Sequence, residues 1–199
     1  MTGRLLIAAA IPLFFILIGI ELLAARRKGV SVYRFADAIA DLSCGISSRV
    51  FHLFDQLVIV AIYTGVFTLR IVPEWPVDAW WTWVVAFIAV DFIYYWWHRA
   101  SHEVNVLWAA HVVHHQSEDY NYAVALRQAL FTGLTGLPFY LPLALLGVSP
   151  VVFATCNALN TLYQFWVHTD LIRHLPRPLE AVMNTPSHHR VHRRWCWSR

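Results

Sequence analysis

The sequence predicts an all-α fold: a polytopic membrane helix bundle with a cytoplasmic, histidine-rich helical cap. Three observations predict it. The 199 residues are 58% hydrophobic and only 14% charged, with a mean hydropathy of +0.50, and so little charge cannot cover a soluble domain of this length. The apolar residues gather in runs of bilayer-spanning length. Most of the 11 histidines crowd into the segments between and after those runs.

The elements follow in order, within a single membrane domain over 1–199. The first apolar run, 5–25, is longer than a signal-peptide core and lacks a small-x-small cleavage site. It is followed, not preceded, by Arg26-Arg27-Lys28, so it reads as a retained span. A second span is expected at 50–69, with His52 and Asp55 near its start. A third, 79–97, is rich in Trp and Tyr towards both ends, as interfacial belts require. The runs 129–148 and 150–167 are separated only by Ser149 and predict a tight helical hairpin. Pro138, Pro142 and the nearby glycines would bend its first arm, and it could enter the bilayer without fully crossing. The segments 98–128 and 168–199 make up the cap.

Parity then places the histidines. Arg26, Arg27, Lys28 and Arg34 belong in the cytoplasm by the positive-inside tendency. The chain leaves through 50–69, turns in RIVPEWPVD and returns through 79–97, so 98–121 emerges on the cytoplasmic side. The hairpin enters and leaves on that side, which delivers His168 and the tail to the same membrane face. The net charge of +3 comes from Lys and Arg near the ends of apolar runs. No basic stripe with interleaved aromatics appears, so nucleic acid is not an expected partner. Cys44, Cys156 and Cys196 are scattered, with no CxxC pair, and read as small apolar-compatible residues rather than a disulfide or thiolate site.

In a helix, positions i and i+4 share a face. His98 and His102 can therefore bind one metal from a helix that continues the third span. His111 and His115 share a face, with His114 adjacent. Downstream, SHHRVH holds His188, His189 and His192, of which His189 and His192 are i, i+3. His168 stands alone at the end of the hairpin, while His52 and His174 read as interfacial or loop residues. So many imidazoles without cysteine exceed a single structural zinc and suit two metals, and imidazole accepts iron, zinc or copper. Asp91 lies seven residues before His98 on nearly the same helical face. A carboxylate within the bilayer needs a partner, and an imidazole would supply one. Glu103, beside His102, is a candidate to orient a ligand or water. Asn121 and His188 are further candidates around the ligands.

HRASH (98–102), HVVHH (111–115) and NTPSHHRVH (184–192), on a chain of apolar spans, resemble the histidine boxes of the fatty acid hydroxylase/sterol desaturase superfamily. WHRASHEVNVLWAAHVVHHQSEDYN, ALRQ and LYQFWVHTDLI are most similar to its alkylglycerol monooxygenase branch, over roughly residues 75–192. The resemblance implies a membrane-bound, non-haem di-iron oxygenase that hydroxylates a lipid C–H bond of a fatty acid, sterol or alkyl-ether lipid with dioxygen. Its metal ligands would be His98, His102, His111, His114, His115, His168, His189 and His192. Electrons would come from a tetrahydropterin or from a cytochrome b5-like or ferredoxin partner, and the membrane would be a bacterial inner membrane or the endoplasmic reticulum.

The family pattern places another histidine where this chain has Arg193, and continues where this chain ends in RRWCWSR. The sequence therefore reads as C-terminally truncated, with one metal's ligand set incomplete, because a guanidinium stays protonated and does not ligate. Two other classes compete with a live enzyme. One is a catalytically inactive truncated relative. The other is a histidine-rich binding or transport protein for a divalent metal, which would want ionisable residues deep within several spans. Here the spans hold mainly Asp91, Asp55 and Glu21.

Overall fold

A computed structural model describes residues 3–196, with side chains described over 5–193. Among the described residues there are nine helices and no strand. Helix α1 runs Gly3–Arg27 and α2 Phe35–Thr68. Both are long and apolar enough to cross a membrane, and only 6% and 17% of their apolar windows are buried inside the molecule. Outward-facing Leu13, Phe15 and Ile16 on α1, with Phe54, Leu57 and Val58 on α2, stay exposed. Such continuous apolar faces suit lipid, not water, and the protein is membrane-associated.

Helix α2 is the main departure from the expected element boundaries. It begins at Phe35 rather than near residue 50, because its polar first half is not a loop. Asp37, Asp41 and Ser48 find partners in the cap: Asp37 accepts from Ser117 Oγ at 2.5 Å, and Asp41 Oδ1 accepts from Arg127 at 3.1 Å. The third apolar run forms α3, Trp80–Glu103, which carries His98 and His102 beyond the expected span. An extended residue, Val104 (φ −106°, ψ 117°), breaks the helix and starts α4, Asn105–His115, which folds back against α3.

The two closely joined runs form α6, Thr132–Leu145, and α7, Pro150–Phe165, but instead of a tight hairpin the arms diverge, α6 packing mainly on α2 and α7 on α3 and α1. At 1.5 Å per residue both arms are shorter than the roughly 20 residues of a full span. The tip nonetheless reaches the loop between α2 and α3 at the far end of the bundle. There Leu145 O accepts from Ile71 N at 2.9 Å and Gly147 O from Trp75 N at 3.0 Å. Gly147 has φ +81°, and a Cβ there would lie 2.4 Å from Pro73 O, so only glycine fits that corner. The apolar core lies where α2, α3, α6 and α7 meet, around Val90, Tyr140, Ala144 and Val152, with Tyr63 stacked on Phe153 at 4.3 Å.

Short helices complete the cap: α5, Tyr122–Leu126, α8, Arg177–Val182, and α9, Pro186–Cys196. Glu21, 3% exposed on α1, ties three parts of it together. Its carboxylate accepts from Tyr33 Oη at 2.5 Å, from Tyr122 N at 2.8 Å and from Thr169 Oγ1. The basic end of α1 and the histidine segments therefore share one end of the bundle. Arg34 likewise binds Asp119 and Glu118.

Helix α5 can approach α2 only because Gly45 has no side chain: a Cβ there would sit 2.6 Å from Leu126 O, a backbone atom that cannot swing aside. Gly45→Ala should destabilise the purified protein by about 1–3 kcal/mol through overpacking, lowering Tm in detergent by several degrees. Gly19→Ala, with nothing within 4 Å, should leave Tm unchanged or slightly raised. Equal Tm values for the two variants would refute the close-approach reading.

Candidate metal centre

Four structural elements bring eight histidines to one place. Helix α3 supplies His98 and His102, and α4 supplies His111, His114 and His115. The segment after α7 supplies His168, and α9 supplies His189 and His192. The two short helices each feed both halves of the centre. His98, His102, His111 and His115 offer ligand atoms within 4.8 Å of one another, as do His114, His168 and His189. His192 joins the first group, its Nε2 lying 2.9 Å from His98 Nε2. The halves are contiguous, with ring centroids 5.3 Å apart between His114 and His115 and 5.5 Å apart between His189 and His192. Trp97 lies edge-on to His98 and His111, and Trp108 lies across His102 and His115.

The hydrogen bonds of the second group decide what it can hold. His114 Nδ1 faces Arg127 O at 2.9 Å, and His168 Nδ1 faces Gln164 O at 2.9 Å. A carbonyl only accepts, so both Nδ1 atoms carry hydrogen. In neutral rings both Nε2 atoms then present bare lone pairs, and these face each other at 3.2 Å. His189 Nε2, buried in the same group, has no hydrogen-bond partner among the described residues. Opposed lone pairs repel unless a cation lies between them. Two nitrogens each about 2.1 Å from one metal would stand roughly 3.0–3.4 Å apart across right-angled to tetrahedral coordination. The Nε2 separations of 2.9, 3.0, 3.2 and 3.3 Å in the centre fall in or beside that range, so the residues fit a metal.

Electrostatics keep the imidazoles neutral. Burial, reinforced by the neighbouring imidazoles His192 and His114, pushes His102 down to about 4. Burial brings His114 to about 4, with Arg193 adding its positive charge in the same direction. His98, His111, His168 and His189 fall well below the usual histidine value for the same first reason. Unprotonated nitrogen is what a metal needs.

The other sequence candidates lie elsewhere. Asp91 is exposed at the seam of α3 and α7, where its Oδ1 accepts from Asn160 Nδ2 at 2.7 Å instead of from an imidazole. Glu103 pairs with Arg99 at 3.1 Å on the exposed side of α3, which is the geometry of a solvated i, i+4 pair and not of a ligand-orienting group. Asn121 caps α5, accepting from Ala123 N, and donates to Val32 O. His188 is half-exposed and lies 3.9 Å from Glu180. His52 is engaged with Asp55 at 2.8 Å on α2, away from the cap. The side chain of Cys196 lies outside the described residues. Arg193 is buried, with its guanidinium donating to Ser117 O and Asp119 O and lying 5.3 Å over the Tyr120 ring.

Several contributors were not singled out from sequence. Tyr94 Oη lies 3.3 Å from His98 Nδ1, and Gln164 provides the carbonyl under His168. Each sits four residues before the histidine it touches, so helical spacing carried the signal. Arg127 had no such signal: its carbonyl under His114 and its Nε bond to Val113 O arise from a loop turning back on α4.

A bundle with lipid-facing helices and a cap of converging neutral imidazoles defines a membrane-associated helical protein with a cluster that could hold metal. Residues 83–196 match the fatty acid hydroxylase family model, and the chain belongs to that family. It is 44% identical over 191 residues to an alkylglycerol monooxygenase of Homo sapiens, covering 94% of this chain and 42% of the relative. It is 45% identical over 184 residues to one of Danio rerio, covering 92% and 41%. Against one of Caenorhabditis elegans it is 38% identical over 161 residues, covering 80% and 32%. The chain thus spans about two-fifths or less of the length of these relatives. No solved structure matches it significantly.

The depressed imidazoles set a pH dependence. In the unfolded chain each takes up a proton near 6.5, whereas folded His102 and His114 stay neutral down to about 4. Between those values the unfolded state binds more protons, so stability falls as pH falls. Chelator-treated protein in detergent should lose Tm progressively from about pH 7 to pH 4. A flat Tm profile across that window would contradict the neutral, buried centre.

Proposed function

We propose that this chain carries the di-iron centre of a membrane-bound oxygenase that hydroxylates a lipid C–H bond with dioxygen. The observation that carries the reading is the pair of bare Nε2 lone pairs on His114 and His168, facing each other at 3.2 Å with their Nδ1 hydrogens committed to backbone carbonyls. One metal would be held by His98, His102, His111 and His115 with His192 beside them, and the second by His114, His168 and His189. Iron supplies the two-electron activation of dioxygen that such a hydroxylation needs. The overall change is R–H + O₂ + two electrons + two protons → R–OH + H₂O. The electrons would come from a tetrahydropterin or from a cytochrome b5-like or ferredoxin-type donor.

The chain's own residues supply the setting. Trp97 and Trp108 wall the first imidazole group, where they would limit the access of water to the reaction. Exposed apolar faces of α1 and α2 lead along the bundle towards the cap, so a lipid tail can lie against protein while its reacting carbon approaches the centre. The relatives named alkylglycerol monooxygenases favour an alkyl-ether lipid among the substrate classes. Hydroxylation beside the ether oxygen would give a hemiacetal that falls apart to an aldehyde and a glycerol. The membrane would be a bacterial inner membrane or the endoplasmic reticulum, with the histidine cap in the cytoplasm. That orientation rests on Arg26, Arg27 and Lys28 lying at the cap end.

The decisive measurement is metal per chain after iron-replete expression and purification in detergent. About two irons are expected, with both His111→Ala and His189→Ala reduced, and oxygen-dependent turnover of an alkyl-ether lipid lost in each. One iron or none in the wild-type chain would assign it to the catalytically inactive reading. Tight zinc with no turnover would favour a metal-binding role.

A further inference from the structure

Arg127 grips His114 from two directions. Its backbone carbonyl faces His114 Nδ1 at 2.9 Å, and its Nε donates to the carbonyl of Val113, the residue before His114, at 2.7 Å. Arg127 follows α5 with φ −73° and ψ 83°, outside the helical region. A carbonyl at a helix end has no intrahelical partner to fix its direction. The side chain supplies that direction here.

The side chain is anchored from α2. Asp41 Oδ1 accepts from Arg127 Nη1 at 3.1 Å, and Gln116 Oε1 lies 3.5 Å from Nη2. Asp41 is fully buried and Arg127 is 9% exposed. A guanidinium donates in a rigid planar fork, so its bonds to Asp41 and to Val113 O together set its angle between α2 and α4. This is not the geometry that makes an ion pair strongest. A bidentate pairing would place both carboxylate oxygens on the fork. Instead Nε turns to Val113 O, and Asp41 Oδ2 stays buried without a hydrogen-bond partner among the described residues. The pair gives up its own best contact to hold the loop against α4. Asp41 also lies outside residues 83–196, the part of the chain that matches the family model.

We propose that Arg127, anchored by Asp41, is a positioning residue for His114: the pair fixes the ring orientation and the Nδ1 hydrogen of a ligand in the second half of the centre. This inference rests on the reading of the histidines as metal ligands. It differs from a purely structural ion pair in what it predicts for the metal. Outer partners of a ligating imidazole typically change metal affinity by about 10–100-fold. The loss should fall on the ion held by His114, His168 and His189.

The test separates stability from metal binding by removing both charges together. Replacing a buried ion pair with apolar side chains of similar size is often neutral or stabilising. Asp41→Leu/Arg127→Met should therefore keep the Tm of metal-free protein in detergent within a few degrees of wild type. Titration with cobalt(II), followed by its visible absorption, should show two equivalents in wild type. In the double variant one should stay tight and the other weaken at least about tenfold, with an altered spectrum for the weakened ion. Should that variant fail to fold, Asp41→Asn decides by the same criterion, since it keeps an oxygen opposite Arg127 but removes the charge. Two equivalents within twofold of wild type, or an equal loss of both, would overturn the inference while the metal reading stands. Fewer than two equivalents in wild type would overturn the two-metal reading and the inference with it.

Discussion

Two backbone carbonyls, those of Arg127 and Gln164, govern this structure. By accepting from His114 Nδ1 and His168 Nδ1 they commit the only ring hydrogens of two neutral imidazoles and leave two lone pairs opposed in a buried space. Among the described residues nothing relieves that opposition. Protonating one ring would, but burial and the nearby guanidinium of Arg193 push His114 and His168 the other way. A cation between the two rings would relieve the opposition, and the rest of the cap can be understood as the scaffold that keeps those carbonyls in place.

That scaffold relies on buried ionic and polar groups in short, irregular segments. The carbonyl of Arg127 lies just beyond α5, where the backbone has left the helix. It is held there because its own side chain spans back to Asp41 on α2 and to Val113 O on α4. Asp41 is fully buried, and leaving such a carboxylate without its guanidinium costs about 3–5 kcal/mol. The pair thus specifies the position of the loop more than it adds net stability. Glu21 does the equivalent for the segment after His168, through the Thr169 hydroxyl, and for the start of α5, through Tyr122 N. In both cases a carboxylate on one of the two long apolar helices reaches into the cap. The loops that bear the histidines are pinned to the two long apolar helices.

The part of this arrangement that sequence made legible is the part contained within single helices. Spacing of four predicts that His98 with His102, and His111 with His115, share a face, and the first imidazole group is built on those two pairs. The assignment of His114 to the second group with His189, while His192 faces His98, depends on how α9 docks across α4. No local periodicity encodes that. The polar first half of α2 was opaque for a related reason: Asp37 and Asp41 look like surface residues until their partners 80 or more positions away are known. Asp91, Glu103, Asn121 and His188 show the opposite limit. Nearness in sequence to a ligand suggested that they would orient one, but a helix turns each neighbour by about 100°. Glu103 faces outward to Arg99, and Asp91 reaches α7.

The two halves of the centre are not equivalent electrostatically. Among the described residues the first half gathers five imidazoles between two tryptophans. The second gathers three, with Arg193 close enough to lower the proton affinity of His114 and His168. The guanidinium is not idle there: it donates to Ser117 O and Asp119 O and lies over Tyr120. It closes the loop after α4, sharing the Asp119 carbonyl with the Ser117 hydroxyl. A positive charge in that position opposes a second cation by Coulomb repulsion, and the opposition is strongest where water is excluded. The same contacts that order the loop therefore disfavour charge in the second half. Any metal bound there must be held by the committed geometry of His114, His168 and His189 rather than by a surplus of ligands, which makes the two backbone carbonyls under His114 and His168 the elements on which that half depends.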